Sequence, residues 1–183
     1  RASAAMRFTG YKNTIKALQQ TVDQQASLLN AINHSMAVIE FDLNGIVLLA
    51  NDNFFKTMGY RSEQVIGQPH RQFCLPDYAR STEYQDFWRR LKSGQFESGT
   101  FERVAADGRP IWLEASYNPV KDECGNVVKV IKYALDVTAK VQRESETKGL
   151  LQALDRAMGI IEFELDGSIV SANQNFLSLV GYS

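Results

Sequence analysis

The sequence predicts an α+β domain: one five-stranded antiparallel sheet with short helices on one face, entered and left by longer helices. Three observations predict it. Two strand-like segments lie between residues 37 and 50, and three more lie between residues 96 and 136. Asn-Gly, Asp-Gly and Cys-Gly-Asn turn signals separate the paired segments. Helix-like apolar spacing fills the interval between the two groups and both flanks.

Taken in order, residues 37–43 alternate, with Ile39, Phe41 and Leu43 on one face and Glu40 and Asp42 on the other. Asn44-Gly45 signals a type I′ hairpin, because both central residues of that turn take positive φ. Residues 46–50 are the return strand. Asn51 caps a short helix carrying Phe54, Phe55 and Met58, which Gly59 ends. Ser62 opens a single turn stopped at Gly67, and residues 69–78, with two prolines, read as irregular. Residues 82–92 read as a helix burying Tyr84, Phe87, Trp88 and Leu91, closed by Gly94. Strands at 96–104, 111–119 and 127–136 follow, joined at Asp107-Gly108 and Cys124-Gly125-Asn126. Upstream, Ile15, Leu18, Val22, Leu29 and Ile32 recur with 3-4 spacing; downstream, Val137, Val141, Leu151 and Leu154 mark a second helix in a charged stretch. Each helix either packs on its own domain or pairs with a second copy as a coiled coil, so self-association through the flanking helices is the partner expectation.

The chain repeats itself. Residues 28–61 and 150–183 agree at about 15 of 34 positions with a shift of about 122 residues, including Met36/Met158, Glu40/Glu162, Asn51/Asn173, Asn53/Asn175 and Gly59/Gly181. A period of that size is a whole domain. The expected organisation is an N-terminal linker or coiled-coil helix at 1–27, a complete domain at 28–138, a linker helix at 139–149 and the start of a second, incomplete copy at 150–183. The natural chain is expected to be longer.

Composition excludes several classes. With 44% hydrophobic residues, 22% charged and a net charge of −1, the chain has the profile of a folded soluble protein. Near-neutral charge argues against nucleic acid as partner. The longest apolar run, residues 46–50, is far short of the roughly 20 needed for a membrane span, and the first residues do not resemble a secretory signal. Cys74 and Cys124 have no metal-type spacing and form no disulfide framework, which fits a reducing, cytoplasmic setting. Neither His34 nor His70 adjoins a recognised nucleophile motif, and there is no phosphate-binding glycine loop. The expectation is therefore a binding module, not an enzyme.

The strand and helix order, Asn51-Asp52-Asn53-Phe54, Gly59-Tyr60, Ile66-Gly67 and the closing Asp136-Val137-Thr138 resemble a PAS sensory domain over residues 28–138. The stretch from Gly108 to Val120, with Phe87-Trp88 and Lys92-Ser93-Gly94, is similar to tandem-PAS methyl-accepting chemotaxis receptors of bacteria. The resemblance implies a PAS fold and a signal-sensing input module. Such a module binds a small ligand or cofactor, relays its state through the flanking helices and hands it to a downstream signalling domain and the chemotaxis machinery. Histidine kinases and cyclic-di-GMP enzymes carry similar inputs, and a cofactor-free dimerisation and relay module is a further alternative.

The resemblance also nominates residues. Light-sensing PAS domains bond flavin through a cysteine in a Gly-x-Asn-Cys-Arg-Phe-Leu stretch; here the comparable stretch is Gly67 to Cys74, and His70 stands where that cysteine would be. Haem-binding PAS domains place an iron-ligating histidine on a short helix in this region. His70 is accordingly the candidate axial ligand of haem b, its alternative being a loop histidine satisfied by backbone. FAD as a redox cofactor, or no cofactor, are the other readings. Tyr133 is the candidate donor of a hydrogen bond to a bound gas, or else a core tyrosine; if it points inward, Ile131 and Leu135 share its face and Val130 and Ala134 oppose it. Asp136 and Thr138 are the candidate relay pair, able to cap the helix expected to start at Ala139. Asn51 and Asn53 read as caps, Cys74 as a small buried apolar residue.

Overall fold

A computed structural model describes residues 2–182, with side chains from residue 11 onward. Contacts divide the chain into two compact units, 1–136 and 137–183. The first unit opens with helix α1 (Ala2–Ser35), then β1 (Ala37–Phe41), β2 (Val47–Ala50) and α2 (Asp52–Met58). Single 3₁₀ turns follow at Ser62–Gln64 and His70–Phe73, then α3 (Pro76–Arg80), α4 (Thr82–Lys92), β3 (Glu97–Val104), β4 (Pro110–Lys121) and β5 (Val127–Asp136). The five strands form one antiparallel sheet in the order β2-β1-β5-β4-β3, so the two N-terminal strands and the three C-terminal ones meet where β1 pairs with β5. The expected α+β architecture is the observed one.

Short-range chemistry shapes the joints. The β1–β2 turn is not the type I′ turn that Asn44-Gly45 signals: every non-glycine residue described has negative φ, and Gly45 alone takes the left-handed region at φ 77. The Asp42 carboxylate decides this by accepting the Asn44 and Ile46 N–H groups at 2.8 Å each, while Gly45 N–H bonds Asp42 O. Asp122 repeats the device at the β4–β5 turn. A Cβ at Gly45 would stand 2.9 Å from the Trp88 ring, so the hairpin tip seats directly on α4. The segment expected to be irregular holds the turn at 70–73 and α3, started by Pro76 at its first turn.

The core lies between the sheet and the helical layer. Ile39, Phe41, Ile111, Leu113, Tyr117 and Val130 from the sheet meet Phe54, Met58, Phe73, Phe87 and Leu91 from the helices and turns. The upstream helix runs on to Ser35, past the expected boundary at 27, and Asn51 and Asn53 tie its end to the domain. Asn51 Oδ1 accepts from Phe54 N–H and Val38 N–H at 2.9 Å, and its Nδ2 donates to Met36 O at 2.9 Å. Asn53 is not a cap; its Nδ2 donates to Asn33 O at 2.8 Å.

The second unit repeats the start of the first: α5 (Thr138–Ala157), a hairpin of β6 (Ile161–Phe163) and β7 (Ile169–Ala172), and α6 (Gln174–Val180). Asn173 and Asn175 reproduce the clasp, Asn173 Oδ1 accepting from Phe176 N–H and Ile160 N–H at 2.9 Å each and Nδ2 donating to Met158 O. Many of its large apolar side chains stay exposed, Leu165 and Leu179 among them, while Ile161, Phe176 and Leu177 are half-buried.

Candidate functional site

His70 is held in place by an edge pairing that periodicity alone does not reveal. Residues 67–70 run beside β2: Gly67 N–H bonds Val47 O, Val47 N–H bonds Gln68 O, and His70 N–H bonds Gly45 O at 2.7 Å. The following turn drives the imidazole into the core, 1% exposed. Its Nε2 lies 3.0 Å from Tyr117 Oη and its Nδ1 3.2 Å from Tyr84 Oη. The ring stacks on Tyr84 and meets Phe41, Trp88 and Tyr117 edge to face. Burial, then the Arg103 and Lys132 charges, lowers the imidazole pKa well below 6.5, so the ring is neutral at pH 7. Cys74 Sγ sits 3.8 Å from Nδ1, and burial raises its thiol pKa.

This packing does not fit haem on His70. An axial ligand needs one imidazole nitrogen free to face a slot, whereas both nitrogens here are engaged by phenols inside a cage of aromatic rings. Tyr133 does not stand opposite it either. On β5 the buried residues are Val130, Lys132 and Ala134, so Tyr133, Ile131 and Leu135 lie on the other side of the sheet. There Tyr133 and Leu135 line a shallow depression with Met36, Ser98, Thr100 and Ser116. The expected inward set is thus reversed, because pairing of β5 with β1 and β4 fixes the opposite parity. At the exit, α5 begins at Thr138 with Val137 in the cap position, which makes no side-chain cap bond.

What the inner face presents instead is charge. Arg103 is 2% exposed and Lys132 is 3% exposed. Arg103 Nη2 donates to Tyr117 Oη at 3.1 Å and Nη1 to Glu102 O at 2.7 Å, while Nε has no hydrogen-bond partner. Its guanidinium lies over the Phe101 ring at 5.1 Å and the Tyr78 ring at 5.7 Å. Lys132, directly across from Tyr117 in the β4–β5 register, places Nζ 4.8 Å from the centre of that ring. Burial, and secondly the Arg103 charge, pushes the Lys132 pKa well below 10.5. Tyr117, itself fully buried with its pKa raised by burial, joins the imidazole to the guanidinium. Arg103 and Lys132 were not singled out from sequence. The available signal was weak: Arg103 follows Glu102 and Lys132 is one of two lysines in its strand, a pattern that reads equally well as a solvated face.

Among the described residues, no group of three His, Cys, Asp or Glu side chains gathers to hold a metal ion, and no helix is long and apolar enough to cross a membrane. A five-stranded antiparallel sheet covered by short helices over a buried polar centre, flanked by longer helices, defines the class of fold. Comparison with known proteins makes the class specific. The profile described as PAS fold matches residues 47–134. The chain is 49% identical over 152 residues to the biofilm dispersion protein BdlA of Pseudomonas aeruginosa, covering 83% of this chain and 36% of that protein. It is 32% identical over 82 residues to the aerotaxis receptor of Escherichia coli, covering 45% of this chain and 16% of that one. Among solved structures, the PAS domain of a protein from Colwellia psychrerythraea superposes with a TM-score of 0.56 at 22% identity, over 65% of this chain and 98% of that one. The match identifies residues 47–134 as a PAS domain, and the chain is similar to sensory proteins of the chemotaxis-receptor type. It spans about a third of the length of BdlA and less of the aerotaxis receptor.

Proposed function

We propose that the chain is the input region of a chemotaxis-type transducer acting in the cytoplasm, which senses occupancy of its interior and relays it through the flanking helices. It acts by binding and relay, without turnover, on a partner domain and the chemotaxis machinery downstream; self-association through the flanking helices carries the signal in a dimer. The observation that supports this best is the buried cluster of His70, Tyr117, Arg103 and Lys132 on β3, β4 and β5 and in the layer above them. Lys132 lies four residues before Asp136, and a shift of β5 is passed along the chain to α5. At the other end, the Asn51 and Asn53 clasp couples the last turn of α1 to the same sheet. Relay requires that the occupant bind two arrangements unequally. The relatives named as a dispersion protein and an aerotaxis receptor agree with such a role.

The test is behavioural. In a host lacking the gene, the full-length protein restores a directed response in soft-agar gradients. Removal of residues 28–138 abolishes that response while the protein remains expressed. A response undiminished by the deletion refutes the reading.

A further inference from the structure

A guanidinium and a lysine amine share one interior with no carboxylate beside them. The ion pairs among the described residues join Arg80, Arg89, Arg90, Arg109 and Lys129 to carboxylates; none reaches Arg103 or Lys132. Removing a guanidinium from water is costly unless a counter-charge meets it, and a buried lysine amine holds its proton poorly until one does. Arg103 remains protonated at any physiological pH, so its charge cannot be relieved by losing a proton. Its Nε–H has no partner, at a residue 2% exposed. We propose that Arg103 and Lys132 form the interior binding site for a compact organic carboxylate, which is the occupant that the sensor reading above invokes.

Three features give the ligand its class. The unpartnered Nε of Arg103 and the Nζ of Lys132, which an incoming carboxylate would favour in its protonated form, offer donors to a carboxylate, with Tyr117 Oη between His70 and the guanidinium as a further polar contact. The surroundings are otherwise aromatic, with Phe101 and Tyr78 against the guanidinium and Phe87 against Tyr117. They suit a ligand with a hydrocarbon body better than a strongly hydrated inorganic ion. The row Gly99–Ala115–Ala134 across β3, β4 and β5 carries no side chain larger than methyl, which leaves width over the sheet for the long side chain of Arg103. Access follows from the cover. The layer above the cluster includes turns and helices of three to five residues, whose few internal hydrogen bonds make it the cheapest part of the domain to open. Outside it, a cleft of about 330 Å³ ends at Tyr84 and Trp88, both of which touch His70 on their inner side.

The test titrates the purified 183-residue chain with sodium benzoate, sodium acetate and inorganic phosphate against sodium chloride of equal ionic strength, by calorimetry and by thermal unfolding. Benzoate is expected to bind one per chain and raise the unfolding temperature. Its affinity is expected to fall about thirtyfold or more in Lys132→Met and in Arg103→Met. Should Arg103→Met not fold, Lys132→Met and Tyr117→Phe carry the comparison, since methionine in place of a buried lysine amine that no carboxylate meets does not destabilise. No carboxylate effect beyond chloride, binding of phosphate alone, or affinity unchanged in Lys132→Met would each overturn the proposal. A lost chemotactic response on deleting residues 28–138, together with no carboxylate binding, would leave the sensor reading standing without this ligand.

Discussion

Replacing Asn51 with alanine removes one side chain that serves three backbone segments at once. Its Oδ1 caps α2 at Phe54 N–H and also satisfies Val38 N–H in β1, each at 2.9 Å, and its Nδ2 reaches Met36 O at 2.9 Å. Loss of the cap costs about 1 kcal/mol. Leaving the part-buried Val38 N–H without its acceptor, and Met36 O with only the longer 3.3 Å bond from Asn53 Nδ2, brings the total to about 3 kcal/mol. Asn53→Ala forfeits one good bond from an exposed position, Nδ2 to Asn33 O, and is expected to cost about 1 kcal/mol. Asn173 makes the same bonds as Asn51 but in exposed surroundings, where water replaces them, and its loss is expected to cost about 1 kcal/mol. Urea unfolding followed by tryptophan fluorescence reads the first unit alone, because both tryptophans, Trp88 and Trp112, lie there. Asn51→Ala should lower the stability of that transition by about 3 kcal/mol and Asn173→Ala should leave it unmoved. Hydrogen exchange at residues 30–38 should quicken in Asn51→Ala as the end of α1 comes loose from the sheet. Equal losses for Asn51→Ala and Asn53→Ala, or unchanged exchange at 30–38, would refute the clasp.

Three further outcomes are expected. His70 is neutral in the folded state with its pKa depressed below 6.5, whereas the unfolded chain takes up a proton there near pH 6.5; stability is therefore lost as pH falls below about 6.5 toward the folded pKa, with a slope of at most about 1.4 kcal/mol per pH unit, and urea midpoints of His70→Gln should lose that component. Exposed Cys124 should react with a thiol reagent at once, while buried Cys74, with its raised pKa, reacts only on unfolding; mass spectrometry of the labelled peptides decides. Hemin added to the purified chain should give no Soret band that depends on His70, and a band abolished by His70→Ala would show that the cage of phenols opens to iron.

Much of the architecture was legible locally. The alternation at 37–43, Asn51 at the start of α2, Gly59 at φ 73 at its end and the glycine turns between strands are each governed by neighbours within a few residues, so the order of elements and the resemblance to a PAS domain could be read directly. The internal repeat was equally open to reading, and the structure renders it as a second hairpin, helix and asparagine clasp. His70 was singled out from sequence, but the phenols it meets were not, because Tyr84 and Tyr117 lie 14 and 47 residues further along the chain.

The face of β5 was beyond local reading, and the site depended on it. At odd positions the strand offers Val127, Ile131, Tyr133 and Leu135 with one lysine; at even positions it offers Val128, Val130 and Ala134 with Lys132 and Asp136. Apolar content alone turns the odd set inward. Pairing with β1 on one side and β4 on the other fixes the opposite parity, sending Lys132 inward beside Tyr117 and Tyr133 to the far side. Sequence determines a strand by its own alternation, but which face is buried is set by register with neighbours distant along the chain, where a slip of one residue exchanges every side chain.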